Sequence, residues 1–298
     1  MRKMLYNKNA AAAVIISEWR KRLLACNKMG SVIAVSNQKG GVGKSTTVVN
    51  LASVFGAKGS KVLIIDFDPQ GNTTTSLGIA KKSIRNTIYD VLLGDCLLQE
   101  AVVASAFRGV SVVPTTQDLA SASVELLSMQ NRAMRLRSCI ADAADFYDYI
   151  FIDCPPTLDM LTINALVAAN SVIIPIQCEF LSLEGLVELH QTINRVKETW
   201  NSELEVEGIL FTMCVSRYKL TEQIIKEVRK HFPNETFNTV IPRNVAVSEA
   251  PSFGEPVIYY EKKSKGAKAY EELAKEITKR RKKKAKENVS RETFGGKE

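Results

Sequence analysis

The 298-residue chain has no apolar run near the roughly 18 residues a membrane span requires. Its longest candidate, residues 10–16, has seven. C-x-x-C spacing is also missing. The six cysteines, at 26, 96, 139, 154, 178 and 214, form no such pair, so metal-site and dithiol motifs are excluded. Most of them lie in apolar runs and read as small core residues of a chain from a reducing compartment. There is no internal repeat, and the one low-complexity stretch is the basic run 279–284. With 45% hydrophobic and 24% charged residues, the composition excludes a disordered chain, a collagen-like repeat and a disulfide scaffold. The length allows one large domain or two small ones, with a core that needs no staples.

The net charge of +8 is unevenly spread. Residues 1–30 carry +6 and residues 262–298 carry +8, which leaves the body between them at −6. An acidic body with basic ends points to ends that meet a polyanion, nucleic acid or anionic lipid, or that simply keep the protein in solution. Residues 1–30 begin like a signal peptide. The apolar part is short, however, a charged stretch follows at 18–22, and no small-x-small cleavage site is present. Three readings stay open for this segment. It is a short helix on a membrane or DNA, a loosely ordered extension, or a stretch preceding a translation start at Met29.

From residue 31 the pattern is regular. Apolar runs at 32–35, 61–66, 110–114, 149–153, 171–176 and 206–213 predict strands, with short strands at 239–241 and 256–259. Helical patterns occupy 45–58, 119–146 (one or two helices), 183–200, 221–232 and 266–286. Near-continuous apolar strands alternating with helices predict an α/β fold: a single doubly wound, mostly parallel sheet with ligands at its carboxyl edge.

A glycine-rich segment, Lys39-Gly40-Gly41-Val42-Gly43-Lys44-Ser45-Thr46, follows the first strand and opens a helix. That context identifies a phosphate-binding loop. Glycines let backbone N–H groups turn inward around phosphate oxygens, and the helix directs its positive end at the same anion. Lys44 is expected to reach the β/γ-phosphates, Ser45 to bind Mg²⁺ and Thr46 to hold an α-phosphate oxygen. The usual G-x-x-x-x-G-K-[ST] spacing is not met, because Gln38 stands where the first glycine belongs and an additional lysine, Lys39, sits at the mouth of the loop. Two acidic strand ends complete the predicted site. Asp153 is placed to hold an Mg²⁺ water, and Asp66 with Asp68 to hold the metal's hydration shell and orient water. The alternative for Asp66 or Asp68 is capping of the following turn.

These residues resemble the ParA/Soj/MinD family of deviant-Walker ATPases over nearly all of 31–278. Asn37 to Thr46 is similar to the family's deviant phosphate loop, Asp66-Phe-Asp-Pro-Gln-Gly-Asn72 to its second motif, and Asp153-Cys-Pro-Pro156 to its third. Gln177-Cys-Glu179, Ile241-Pro-Arg-Asn-Val245 and Ser248-Glu-Ala-Pro251 resemble the chromosome-partition branch, ParA or Soj. The resemblance implies a P-loop NTPase domain over 31–278, between a basic extension (1–30) and a basic tail (279–298). It implies ATP and Mg²⁺ as ligands and an ATP-bound homodimer with the nucleotides between the subunits. Lys39 would cross to the partner's phosphates, as an arginine finger in trans does. Asp68 would position the attacking water, Asp66 and Asp153 the Mg²⁺ environment, and Pro242 and Asn244 would contact adenine. The family's ATP dimer binds DNA without sequence preference and is released when a ParB/Spo0J-type centromere-binding protein stimulates hydrolysis, which implies a cytoplasmic, nucleoid-associated protein.

Arg217 matches a DNA-binding arginine of the branch, whereas Ala246 stands where members often carry a second basic residue. Lys275, Lys279 and Arg280 are the expected compensation, since phosphate contacts need only charge near the backbone. The bland alternatives are an ordinary surface arginine and a solvated tail. A membrane-cycling, MinD-like ATPase needs an amphipathic C-terminal helix, but the stripe of Tyr270, Leu273 and Ile277 reads as core packing. The N-terminal segment with Ile15, Ile16, Trp19, Leu23 and Leu24 is the better membrane candidate, although a membrane partner is not expected. A reductase or metal-cluster scaffold of the same superfamily needs paired cysteines near the dimer face, which the sequence does not display. Thirty N-terminal residues are too few for the helix-turn-helix domain of a plasmid repressor-type ParA.

Overall fold

The computed structural model describes residues 30–179 and 182–294. Except for Gly30, the basic extension expected over 1–30 therefore lies outside the described residues, as do the last four residues of the expected tail. The strands are β1 (Ser31–Val35), β2 (Val62–Asp66), β3 (Val103–Ala104), β4 (Val110–Val113), β5 (Tyr149–Asp153), β6 (Ser171–Gln177) and β7 (Glu205–Thr212). The helices are α1 (Lys44–Ala57), α2 (Asn72–Ser76), α3 (Ile88–Leu93), α4 (Leu98–Ala101), α5 (Leu119–Glu125), α6 (Arg135–Ile140), α7 (Met160–Ala168), α8 (Ser182–Thr199), α9 (Lys219–His231), α10 (Val245–Glu249), α11 (Val257–Tyr260) and α12 (Lys265–Phe294).

The strands form one sheet in the order β3-β4-β2-β5-β1-β6-β7, parallel except for the β3–β4 edge. This is the doubly wound α/β sheet expected. Alternate residues of each inner strand enter opposite cores. In β1, Val32 and Ala34 pack on the side of α6 and α7, while Ile33 and Val35 pack on the side of α1 and α12. Burial on both faces is why these strands read as unbroken apolar runs. Helix α12 covers α1 with Ala267, Tyr270, Leu273, Ala274 and Ile277, an i, i+3, i+4, i+7 stripe that is wholly buried. That face is core, as expected, and offers nothing to a bilayer. Among the described residues no helix is long and apolar enough to cross a membrane.

Several local expectations differ from the fold. Residues 239–241 do not form a strand. Ile241 donates one bond to Phe211 O (2.8 Å) and accepts one from Cys214 N (3.0 Å), after which Pro242, lacking an N–H, leaves only an isolated bridge. The strand expected at 256–259 is instead the single helical turn α11, with Pro256 before it as the N-cap, where proline's fixed φ and missing donor are tolerated. The segment 119–146 breaks into α5, α6 and intervening 3₁₀ turns. The final helix continues past Lys286 to Phe294, so the 278/279 boundary is not a break in secondary structure.

Candidate nucleotide-binding site

The phosphate loop lies between the end of β1 and the start of α1, at the carboxyl edge of the sheet. Gly41 (φ 73°) and Gly43 (φ 89°) occupy the left-handed region that side chains resist, which lets the loop turn its amides inward. The N-cap of α1 is Gly43, which has no side chain to bond the first turn's N–H groups, the groups through which a helix N-terminus can bind an anion. The loop is held from outside by residues distant in sequence. Gln177 Nε2 donates to Gly41 O (3.0 Å), and Thr212 Oγ1 donates to Val42 O (2.7 Å). Asn37 Nδ2 donates to Pro175 O (2.7 Å), while its Oδ1 accepts from Lys39 N (2.8 Å). Asn37 and Gln177 are visible in the sequence only as motif letters, and nothing there signals Thr212.

The parallel register delivers the acids. Asp153 is the register partner of both Val35, the last residue of β1, and Asp66, the last residue of β2. Both carboxylates are fully buried. Asp66 Oδ2 accepts from Thr74 N (2.7 Å) and Thr74 Oγ1 (2.6 Å), and its Oδ1 is buried with no hydrogen-bond partner. Burial first, and then the Asp153 carboxylate, push the Asp66 pKa well above the carboxylate range, with the Thr74 bonds opposing. Burial likewise raises Asp153, against hydrogen bonds from Ser45 and from Thr73 Oγ1 (2.8 Å). Asp68 is buried beside them and accepts from Gln70 N (3.0 Å). Lys44 is 6% exposed, and its Nζ donates to Lys39 O (3.3 Å). Burial lowers the pKa of its ammonium, while Asp153 and then Asp68 pull it back up. Two buried carboxylates, each with one oxygen that has no hydrogen-bond partner among the described residues, and the Ser45 hydroxyl make a hard-oxygen donor set that fits Mg²⁺.

Lys39 points elsewhere. Its Nζ forms an ion pair with Glu179, with 41% and 55% of the two side chains exposed. An exposed pair of this kind contributes only ~0–1 kcal/mol. Pro242 is brought beside the end of β7 by the Cys214–Pro242 bridge. Asn244 precedes α10, with its Oδ1 buried and unpartnered.

The basic residues do not form one patch. Arg217 is exposed in the loop after β7, with its guanidinium 5.5 Å from the Tyr218 ring centroid. Helix α12 starts near Asn244, at the site's edge, and reaches Ser171, the first residue of β6, through Arg281. Lys279 is thus roughly 20 Å along the helix axis from Gly266, toward the opposite end of the sheet. Lys275 and Lys279 are exposed. Arg280 is committed to Thr236 O and Glu276 (2.8 Å), and stacks over Phe237 at 4.6 Å. Ala246 is buried and offers no surface. Among the described residues no group of three or more His, Cys, Asp or Glu side chains could hold a metal ion. Two cysteines nevertheless meet here, against the expectation from their spacing: Cys178 and Cys214 lie 3.3 Å apart, sulfur to sulfur.

The family model described as AAA domain matches residues 30–206. The chain is 49% identical over 252 residues to the chromosome partitioning protein ParA of Myxococcus xanthus, covering 85% of this chain and 89% of that protein. It is 47% identical over 249 residues to the sporulation initiation inhibitor protein Soj of Bacillus subtilis, covering 84% of this chain and 98% of that protein. Among solved structures it is similar to a cobyrinic acid a,c-diamide synthase from Mycobacterium smegmatis with bound ADP and magnesium. That match has a TM-score of 0.75 and 35% identity, and covers 85% of this chain and 96% of that one.

Proposed function

The chain belongs to the ParA/Soj family of chromosome-partitioning ATPases, and from that premise we propose that it is a DNA-segregating ATPase whose ATP-bound homodimer binds DNA. It hydrolyses ATP and uses Mg²⁺. The observation that carries the reading is Lys39. A second lysine at the loop's mouth, held only by an exposed ion pair to Glu179, is free at small cost to serve phosphates other than its own loop's.

The residues act as follows. The amides of Gly40, Gly41, Val42 and Gly43, with Lys44, Ser45 and Thr46, hold the phosphates. Buried Lys44 offsets charge on the transferring phosphoryl group in a place water does not screen. Ser45, Asp66 and Asp153 would hold Mg²⁺, which would supply further charge neutralisation when bound. Asp68 orients the attacking water. Pro242 and Asn244 border the adenine, with the open Asn244 oxygen suited to the base's amino group. Lys39 leaves Glu179 and contacts the partner's phosphates, so hydrolysis requires the dimer. Arg217 contacts DNA phosphates in every sequence context, and a ParB-type centromere-binding protein stimulates hydrolysis and so release. The protein then cycles on and off the nucleoid.

The test is DNA retention with ATP, with ADP and with neither, beside ATP turnover per subunit across protein concentrations. Retention only with ATP and turnover that rises with concentration are expected. Turnover independent of concentration down to extreme dilution would remove the dimer from the mechanism.

A further inference from the structure

The contact between Cys178 and Cys214 is built by the backbone. Gln177, the last residue of β6, is the register partner of Thr212, the last residue of β7. Beyond that pair Met213 turns into the left-handed region (φ 52°), uncommon for a residue with a side chain, and brings Cys214 round to face Cys178. The Cys214 backbone is fixed on its other side, its N donating to Ile241 O (3.0 Å) and its O accepting from Arg243 N (3.0 Å). Cys178 is partly exposed, while Cys214 is buried.

The flanking residues are those that hold the phosphate loop and its additional lysine. Gln177 holds Gly41, and Glu179 holds Lys39. Arg217 follows Cys214 by three positions.

We propose that Cys178 and Cys214 are a reversible modification site, a dithiol that hydrogen peroxide converts to a disulfide, with nucleotide turnover slowed in the oxidised form. The accessible Cys178 sulfur attacks one peroxide oxygen. The O–O bond breaks, the departing oxygen leaves as water with the thiol's proton, and Cys178 becomes a sulfenic acid. Cys214 then attacks the Cys178 sulfur. The S–S bond forms as the S–O bond breaks, and the hydroxyl leaves as water with the Cys214 proton. Two thiols lose two electrons, and one peroxide is reduced to two waters. The order of attack follows from access, and the hydrogen bond between the sulfurs agrees with it by lowering the Cys178 pKa and raising that of Cys214. The disulfide ties the segment carrying Gln177 and Glu179 to the segment leading to Arg217. The effect on turnover rests on the proposed function; the thiol chemistry does not.

The test treats full-length, nucleotide-free protein with a small molar excess of hydrogen peroxide, alkylates the remaining thiols and maps the peptides. The expected result is a 178–214 linkage, loss of two of the six alkylatable thiols, and recovery of both with dithiothreitol. Cys214→Ser should instead accumulate a sulfenic acid at Cys178, trapped by dimedone, and Cys178→Ser should leave Cys214 reduced. ATP turnover of the oxidised wild type should fall at least several-fold and return on reduction, with neither variant showing reversible loss. A Cys178 that over-oxidises or links to a second chain, with no bond to Cys214, would overturn the site. So would stoichiometric metal retained by the reduced protein and lost in either variant. A clean linkage with unchanged turnover would overturn the coupling to the nucleotide, whereas a reduced protein without turnover would strike at the proposed function alone.

Discussion

Replacing Lys39 with alanine separates what the lysine does for the fold from what it does for chemistry. Among the described residues its ammonium pairs with Glu179, across an ion pair with 41% and 55% of the side chains exposed. Loss of such a contact costs ~0–1 kcal/mol, so denaturant midpoints should barely move. In chemistry, a cation delivered in trans to the transferring phosphoryl group is worth about 10³–10⁵ in kcat, or about 4–7 kcal/mol of barrier. The two magnitudes are far enough apart to be read in one experiment. Lys39→Ala should melt within a degree or two of wild type and lose turnover by at least a thousandfold. Glu179→Ala deletes the same ion pair but leaves the lysine, and so serves as the control. It should retain turnover within tenfold, because freeing Lys39 does not remove it. The assay is steady-state phosphate release at several protein concentrations with a nucleotide-binding check on each variant. If Lys39→Ala kept turnover within tenfold of wild type, or if both variants lost it equally, the trans role would be refuted, and the ion pair itself would be what the site needs.

Burial and Asp153 hold the Asp66 pKa above the carboxylate range. The folded, nucleotide-free protein therefore binds a proton there that the unfolded chain has released, and this group's contribution to stability falls as pH rises from about 4 to about 8, by at most ~1.4 kcal/mol per pH unit. Asp66→Asn should abolish Mg²⁺-dependent turnover yet stabilise the nucleotide-free protein increasingly with pH, and a wild-type-minus-variant difference that stays flat in urea titrations would contradict the assignment. Arg217→Glu should weaken DNA retention while sparing ATP binding, and should lower the salt slope by about 1–2 per dimer in fluorescence anisotropy. Arg280→Ala should leave DNA retention intact and cost about 1–3 kcal/mol of stability in urea unfolding, since its guanidinium bonds Thr236 O and Glu276. Leu273→Ala, in the buried stripe of α12, should cost about 2–5 kcal/mol, and a negligible loss would show that the helix does not dock.

The features legible in the sequence are those whose chemistry is local in the chain. A glycine turn between a strand and a helix announces the phosphate loop from its own letters, and an acid ending an apolar run announces Asp66 and Asp153. What was not legible is carried by sequence-distant contacts. Gln177 reaches Gly41 across 136 positions, Thr212 reaches Val42 across 170, and Cys178 meets Cys214 across 36. Spacing rules look for cysteines close together in sequence, so two cysteines at the ends of neighbouring strands escape them. The two-residue strand β3 is too short to show alternation, and the helical turn at Val257–Tyr260 carries the β-branched and aromatic letters of a strand. The basic tail shows why composition misleads about roles. Lys279, Arg280 and Arg281 are adjacent and alike in charge, but Arg280 is held by Glu276 and Arg281 by Glu207, and only the lysine remains exposed.

Under the proposed function, that sorting bears on how nucleotide state would become DNA affinity. Within one chain Arg217 stands apart from Lys275 and Lys279, with α12 carrying those lysines toward the opposite edge of the sheet. Of the basic residues predicted to contact DNA, a monomer therefore offers few to any one stretch of duplex. Each phosphate neutralised contributes about 0.9 to the logarithmic salt slope, so affinity built on so few contacts is lost at moderate salt. Pairing two chains sets two such loops on one body and makes the second contact intramolecular, which raises avidity without a new kind of contact. The link is short in the chain as well. Thr212, which clamps the phosphate loop through Val42, lies five residues before Arg217. The segment that clamps the phosphate loop is thus the same one that carries the arginine, and under the proposed function a DNA contact placed on α12 alone would lack that connection.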